Sequence, residues 1–245
     1  MHEGRRIGQG DRYGLLLATL IVVYLVSAFT SGRVTQALQV GLLVAITLLA
    51  LRVGTLPRRI AMLTRVVILI GSVIAIALVA ASGNKEVQAA ASLWTAALLL
   101  LTVVIIVERV LLMDSVTLQS IYAALSTYII IGLMFASIYA AIDGLTTADF
   151  FVNGESANIR TFQYFSFTTL TTLGYGDFTA AGNFGRALAV LEALTGQIFL
   201  ATLVARLVAA YRTPPRGESP RGEPAGPAGD GEQSPDQPGA GTRRG

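Results

Sequence analysis

Tyr164-Phe-Ser-Phe-Thr-Thr-Leu-Thr-Thr-Leu-Gly-Tyr-Gly-Asp177 is the stretch on which the reading of this 245-residue chain turns. It has two halves. Residues 158–171 form a helix-compatible run that is far shorter than the roughly 20 apolar residues needed to cross a bilayer core of about 30 Å. Residues 172–177 contain two glycines separated by one residue, Gly174 and Gly176. Glycine reaches backbone angles closed to other residues. A chain in which ordinary and permissive residues alternate turns successive carbonyls to the same side, where they can line an axis. Backbone this irregular is tolerated at membrane depth only when it is buried in protein or faces a water-filled space.

The surroundings of this stretch are a membrane protein's. Hydrophobic residue types make up 53% of the chain and charged types 13%, about half the charge of an ordinary soluble domain. Apolar runs lie at 14–30, 34–51, 63–82 (with Arg65 near its start), 87–107 and 116–142, and a sixth at 185–211 carries Glu192 and a few small polar groups inside and Arg186 and Arg206 toward its ends. Residues 143–184, between the fifth and sixth runs, are too polar to span. They nevertheless hold an aromatic, apolar patch at 162–173, which reads as a segment that enters the membrane and returns. The expected fold is all-α, with six transmembrane helices and a re-entrant helix and loop between helices five and six.

Arginine placement sets the expected orientation. Arg5, Arg6 and Arg12 precede the first span, Arg52, Arg58, Arg59 and Arg65 lie around the second-to-third connection, Arg109 follows the fourth, and Arg206 and Arg212 close the sixth. The alternate side holds only Arg33, Lys85, Arg160 and Arg186. Positive charge favours the cytoplasmic side, so both termini are expected inside. Tyr13, Tyr211 and Trp94 then fall near span ends, where interfacial rings serve as anchors. The first span is too long, and the residues after it too unlike a cleavage site, for a signal peptide. Residues 213–245 hold seven of the eight prolines and eight of the 25 glycines. They read as a disordered cytoplasmic tail, and a PxxP match in it, Pro224 to Pro227, is of a kind common by chance. The division is therefore 1–13 (cytoplasmic N-terminus), 14–112 (four-helix region), 113–212 (helix five, short helix, loop, helix six) and 213–245 (tail).

Several chemistries are excluded. There is no cysteine and the single histidine is His2, so thiolate or histidine metal sites, cysteine nucleophiles and histidine catalysis have no residues to use. A net charge of +3 gives no reason to expect nucleic-acid binding. A multipass enzyme or carrier needs polar groups converging from several helices, and the one deep carboxylate is Glu192.

Thr172-Leu-Gly-Tyr-Gly-Asp177 resembles the selectivity-filter signature of the tetrameric potassium-channel family, with Leu173 in place of the commoner valine; the family's filter is built from four such loops. The residues before it resemble the pore helix of bacterial members. Gly185-Arg-Ala-Leu-Ala-Val-Leu-Glu-Ala-Leu-Thr-Gly-Gln197 resembles their inner helix. The likeness covers about 116–211; the first four spans match in number but carry no motif.

The resemblance implies a homotetramer of cyclic symmetry in the plasma membrane, passing K⁺ along carbonyls of Thr172, Leu173, Gly174 and Tyr175 together with the Thr172 hydroxyl. It places Gly176 at the end of the filter, Asp177, Tyr164 and Phe165 as its support, and Thr168 behind it. Phe165 cannot hydrogen-bond the Tyr175 hydroxyl, whereas Tyr164 can reach Asp177. It implies no cofactor beyond K⁺ itself, and the lipid bilayer and further copies of the chain as partners. A less selective cation channel and a scaffold acting through the tail are the alternatives.

Outside the tail, 212 residues carry 24 charges. That is too sparse for a pathway of charged side chains and leaves the carbonyls of 172–176 to build one. The fourth span carries no arginine, and Glu108 and Arg109 at its end nearly cancel. Strong voltage sensing, at about 2.3 kcal/mol per charge per 100 mV, is therefore not expected. In the sixth span, Gly196 reads either as a packing residue or, by resemblance, as a hinge. Gln197 reads as a cavity-facing amide or an interhelical hydrogen-bonding group. Glu192 reads as a packing residue or as a link from the sixth helix to the back of the short helix.

Overall fold

The computed structural model describes residues 11–29, 41, 43–45, 47–48, 58–111, 117–152, 154 and 157–212. Six helices are delimited: α1 (Asp11–Phe29), α2 (Arg58–Ala81), α3 (Lys85–Leu111), α4 (Leu118–Leu145), α5 (Ile159–Leu170) and α6 (Asn183–Arg212). Of the second expected span, only Gly41, Leu43, Val44, Ala45, Thr47 and Leu48 fall among the described residues, and these are helical. The tail, 213–245, and the first ten residues lie outside the described residues. Among the described residues there is no strand, only one isolated antiparallel bridge between Phe151 and Ala180. Among the described residues, four helical stretches are long and apolar enough to cross a membrane: Met62–Ala81, Lys85–Glu108, Leu118–Leu145 and Asn183–Ala209. They correspond to the third to sixth expected spans.

Local chemistry explains the helix ends that matter. α4 starts at a reciprocal cap, in which the Thr117 side chain accepts the Ser120 N–H and the Ser120 hydroxyl accepts the Thr117 N–H. α5 starts the same way. Asn158 Oδ1 accepts the N–H groups of Arg160 and Thr161, and Thr161 Oγ1 accepts the Asn158 N–H. Such caps satisfy donors that a helix start leaves without partners. At 12 residues, α5 is about 18 Å long at the usual rise and stops well short of a bilayer core.

α4 is the centre of the assembly of helices. Over its most apolar stretch 61% of residues are buried, against 11% for the corresponding stretches of α2 and α6. α3 runs antiparallel beside it, with Lys85 and Ala89 at the start of α3 against Gly144 at the end of α4. α1 leans on α4 and reaches α5, where Tyr24 and Phe167 meet edge to face at 4.9 Å. α2 packs on α3. There Trp94, expected as an interfacial anchor, lies against Gly71 and donates its indole N–H to Ser72 Oγ at 3.2 Å. An indole N–H withdrawn from water needs such a partner. Thr102 of α3 donates to the buried Thr47 at 3.0 Å. In lipid, hydrogen bonds and close packing of this kind replace the hydrophobic drive between helices.

Candidate functional site

The C-terminal end of α5 organises the loop that follows. Thr171 N–H returns to Phe167 O, Thr172 N–H to Thr169 O, and the N–H groups of Leu173 and Gly174 both point to Thr168 O, at 2.8 and 3.0 Å. Thr168 therefore holds the loop through its main-chain carbonyl, while its hydroxyl donates to Phe165 O. Beyond this cap the backbone alternates. Thr172, Gly174 and Gly176 have φ of 58°, 49° and 80°, and Leu173 and Tyr175 between them keep negative φ. Left-handed backbone is rare for a β-branched residue and persists only where surrounding structure holds it. Residues 171–177 are all exposed in the single chain.

Aromatic rings lie against the loop. Tyr164 and Tyr175 lie in nearly parallel planes, 4° apart, with ring centres 6.5 Å apart. The Tyr164 hydroxyl bonds Asp177, and this bond is the first cause that raises the hydroxyl above the ordinary tyrosine range, with burial and the nearby Asp177 charge adding to it. Phe165, expected beside Tyr175, turns instead toward α4 and the loop after it, with Tyr139, Phe150 and Phe151 as ring partners. Phe162 and Phe178 complete this cluster. The connection before α5 is stitched to the one after the loop by Val152 N–H to Thr179 O and Ala181 N–H to Phe150 O. Arg186 caps the same corner through Nε–H to Ala180 O at 2.9 Å.

α6 and α4 pack against the same end of α5. Gln197 Nε2–H approaches Thr172 Oγ1 at 3.4 Å, and that hydroxyl donates to Thr171 O. Gly196 is buried against the last turn of α5, where an added Cβ would collide with the Leu170 carbonyl oxygen. The same oxygen accepts the Tyr128 hydroxyl at 3.1 Å. One turn earlier, Glu192 is fully buried. Its Oε1 lies 2.5 Å from Ser166 Oγ and its Oε2 2.7 Å from the Tyr139 hydroxyl. The expected link from α6 to the back of α5 is thus formed, and it extends to α4.

Tyr128, Tyr139, Ser166 and the pair Phe150–Phe151 were not singled out from the sequence. A signal for the tyrosines exists. They sit eleven residues apart on one apolar helix, which is close to three full turns and so the same face. Phenol tips at membrane depth need partners.

The fold and site define a multi-helix membrane protein with an ion-channel domain. Residues 125–213 match the family model described as Ion channel, a two-transmembrane module, and this match supports the resemblance to the potassium-channel family. The matched segment takes in most of α4, all of α5, the loop and all of α6. No curated protein and no solved structure matches the chain.

Proposed function

We propose that the protein is a K⁺-selective channel, a homotetramer of six-span subunits in the plasma membrane with both termini cytoplasmic. The observation that carries this reading is the left-handed backbone at Thr172, Gly174 and Gly176, directly after a helix too short to cross a bilayer. In this reading the carbonyls of Thr172, Leu173, Gly174 and Tyr175, with the Thr172 hydroxyl, replace the hydration shell of K⁺. Gly176 and Asp177 end the filter, and the Tyr164–Asp177 bond holds its outer turn. Binding sites in series let neighbouring ions displace one another, so selectivity does not stop conduction. Gln197 faces the inner entrance, and conduction is passive, with no catalytic residue and no cofactor besides the K⁺ in transit.

Two features support assembly from four copies. The exposed backbone of 171–177 is of a kind that exists at membrane depth only inside protein or along a wet path. α6 also presents Val190, Leu191, Leu194, Ile198 and Val204 with their side chains uncovered. Weak voltage dependence follows from α3, whose charged residues, Lys85, Glu86, Glu108 and Arg109, all lie at its two ends.

The test is reconstitution in liposomes with a K⁺ gradient. Wild-type protein should pass K⁺ and exclude Na⁺ by reversal potential in mixed salts, and Gly174→Asp should abolish the flux. Equal permeation of Na⁺ would favour the less selective cation channel. No flux from well-folded tetramers would overturn the channel reading.

A further inference from the structure

Three helices converge on one buried carboxyl group, and counting protons there gives more than packing does. Ser166 Oγ is 2.7 Å from Gly132 O and 2.5 Å from Glu192 Oε1. Serine carries one proton and a carbonyl oxygen only accepts. An ionised Glu192 would draw that proton to itself and leave Ser166 Oγ and Gly132 O facing each other as two bare acceptors. A protonated Glu192 satisfies every contact in one direction. Tyr139 O–H donates to Oε2, Oε1–H donates to Ser166 Oγ, and Ser166 O–H donates to Gly132 O.

The charges nearby agree with this count. α6 packs against α4 and α5. From α4, the titratable groups facing Glu192 are Tyr139 and, at longer range, Tyr128. From α5, the group facing it is Ser166, which does not titrate. Of the α6 arginines, Arg186 is directed to Ala180 O and Arg206 to Val110 O. Among the described residues, a carboxylate so placed has hydrogen bonds but no cation beside it to offset the loss of water, which membrane interiors penalise heavily.

We infer that Glu192 is held as a neutral carboxylic acid and is a positioning residue of the pore, whose directed hydrogen-bond chain ties α6 through α5 to α4. The functional consequence rests on the channel reading above. Ser166 lies two residues before Thr168, whose carbonyl holds Leu173 and Gly174. Loss of the Glu192 proton breaks the Ser166–Gly132 bond and frees α5 to shift against α4, and the loop follows. The conducting arrangement is therefore kept at low and neutral pH and lost as pH rises, because the ionised form is the one that breaks the chain.

The experiment uses the full chain in liposomes, with K⁺ flux against pH and infrared difference spectra on raising the pH. Wild type should show the C=O band of a buried carboxylic acid at neutral pH, disappearing together with flux on the alkaline side. Glu192→Gln keeps a donor toward Ser166 and an acceptor toward Tyr139. It should lack the band, conduct like wild type at neutral pH and show no alkaline loss. Glu192→Ala should lose flux at all pH values. An identical neutral-pH band in wild type and Glu192→Gln, or equal loss of flux in the Gln and Ala variants, would overturn the inference. Should Glu192→Gln not assemble, Ser166→Ala serves: removing the acceptor must shift the acid band, and an unmoved band overturns the inference. Absence of K⁺ flux in wild type would count against the channel reading alone, because the band reports the proton independently.

Discussion

Gly196→Ala sets two effects of opposite sign against each other, and the structure decides which wins. In a helix interior, alanine is favoured over glycine by about 1 kcal/mol. Against this, the new Cβ would fall well inside 3.0 Å of the Leu170 carbonyl oxygen and 2.9 Å from Leu170 Cδ1. The oxygen is main chain at the end of α5 and cannot rotate away, so α6 must retreat. Overpacking of this kind costs about 1–3 kcal/mol. The same oxygen accepts the Tyr128 hydroxyl, and weakening that bond costs a further 1 kcal/mol or so. The net is a destabilisation of about 2 kcal/mol per chain. For a chain of this size that lowers Tm by about 4–8 °C.

The assay is thermal unfolding of the purified protein in detergent, followed by circular dichroism. Gly41→Ala is the control, a helical glycine with nothing within 4 Å of the added Cβ. The control should be neutral or slightly stabilising. A Gly196→Ala variant that melts at or above wild type would refute the close approach of α6 to α5. If Tm is unchanged but channel opening alters, Gly196 acts as a hinge and not as the contact that seats α6.

Tyr128→Phe removes only the hydroxyl that caps Leu170 O; a loss of about 1 kcal/mol, read as a Tm fall of about 2–4 °C, is expected, and an unchanged Tm would mean the bond contributes nothing. Tyr164 gives a pH prediction. Its hydroxyl titrates above the ordinary tyrosine value, chiefly through the bond to Asp177. The bond's contribution is therefore complete below about pH 10 and is lost as pH rises through the elevated value. Ultraviolet titration of wild type minus Tyr164→Phe should reveal one tyrosine ionising later than the ordinary range, and a difference curve centred at or below about 10 would sink the assignment.

Much of this protein was legible before any coordinate. Bilayer thickness turns apolar run length into spans, and the runs at 63–82, 87–107, 116–142 and 185–211 reappear as α2, α3, α4 and α6 within a few residues at each end. Asn158 and Thr171 bound α5 because capping is local chemistry. Gly174 and Gly176 take left-handed angles because backbone sterics act within one residue. Thr172 takes one too, which its side chain gave no reason to expect.

What the chain could not disclose alone is which faces meet. α4 is apolar on every side, and a helix of that kind carries no stripe to say what it packs against. Lipid is as apolar as the protein interior, so burial leaves little trace in composition. The partners of Glu192 lie 26 and 53 residues away in sequence, beyond the reach of any periodicity. The turn of Phe165 toward Phe150 and Phe151, the seat of Trp94 on α2, and the Tyr128 cap on α5 are likewise matters of shape between distant segments. Length and local stereochemistry determine the elements and the loop; only the packing of α4, α5 and α6 determines what holds that loop in place.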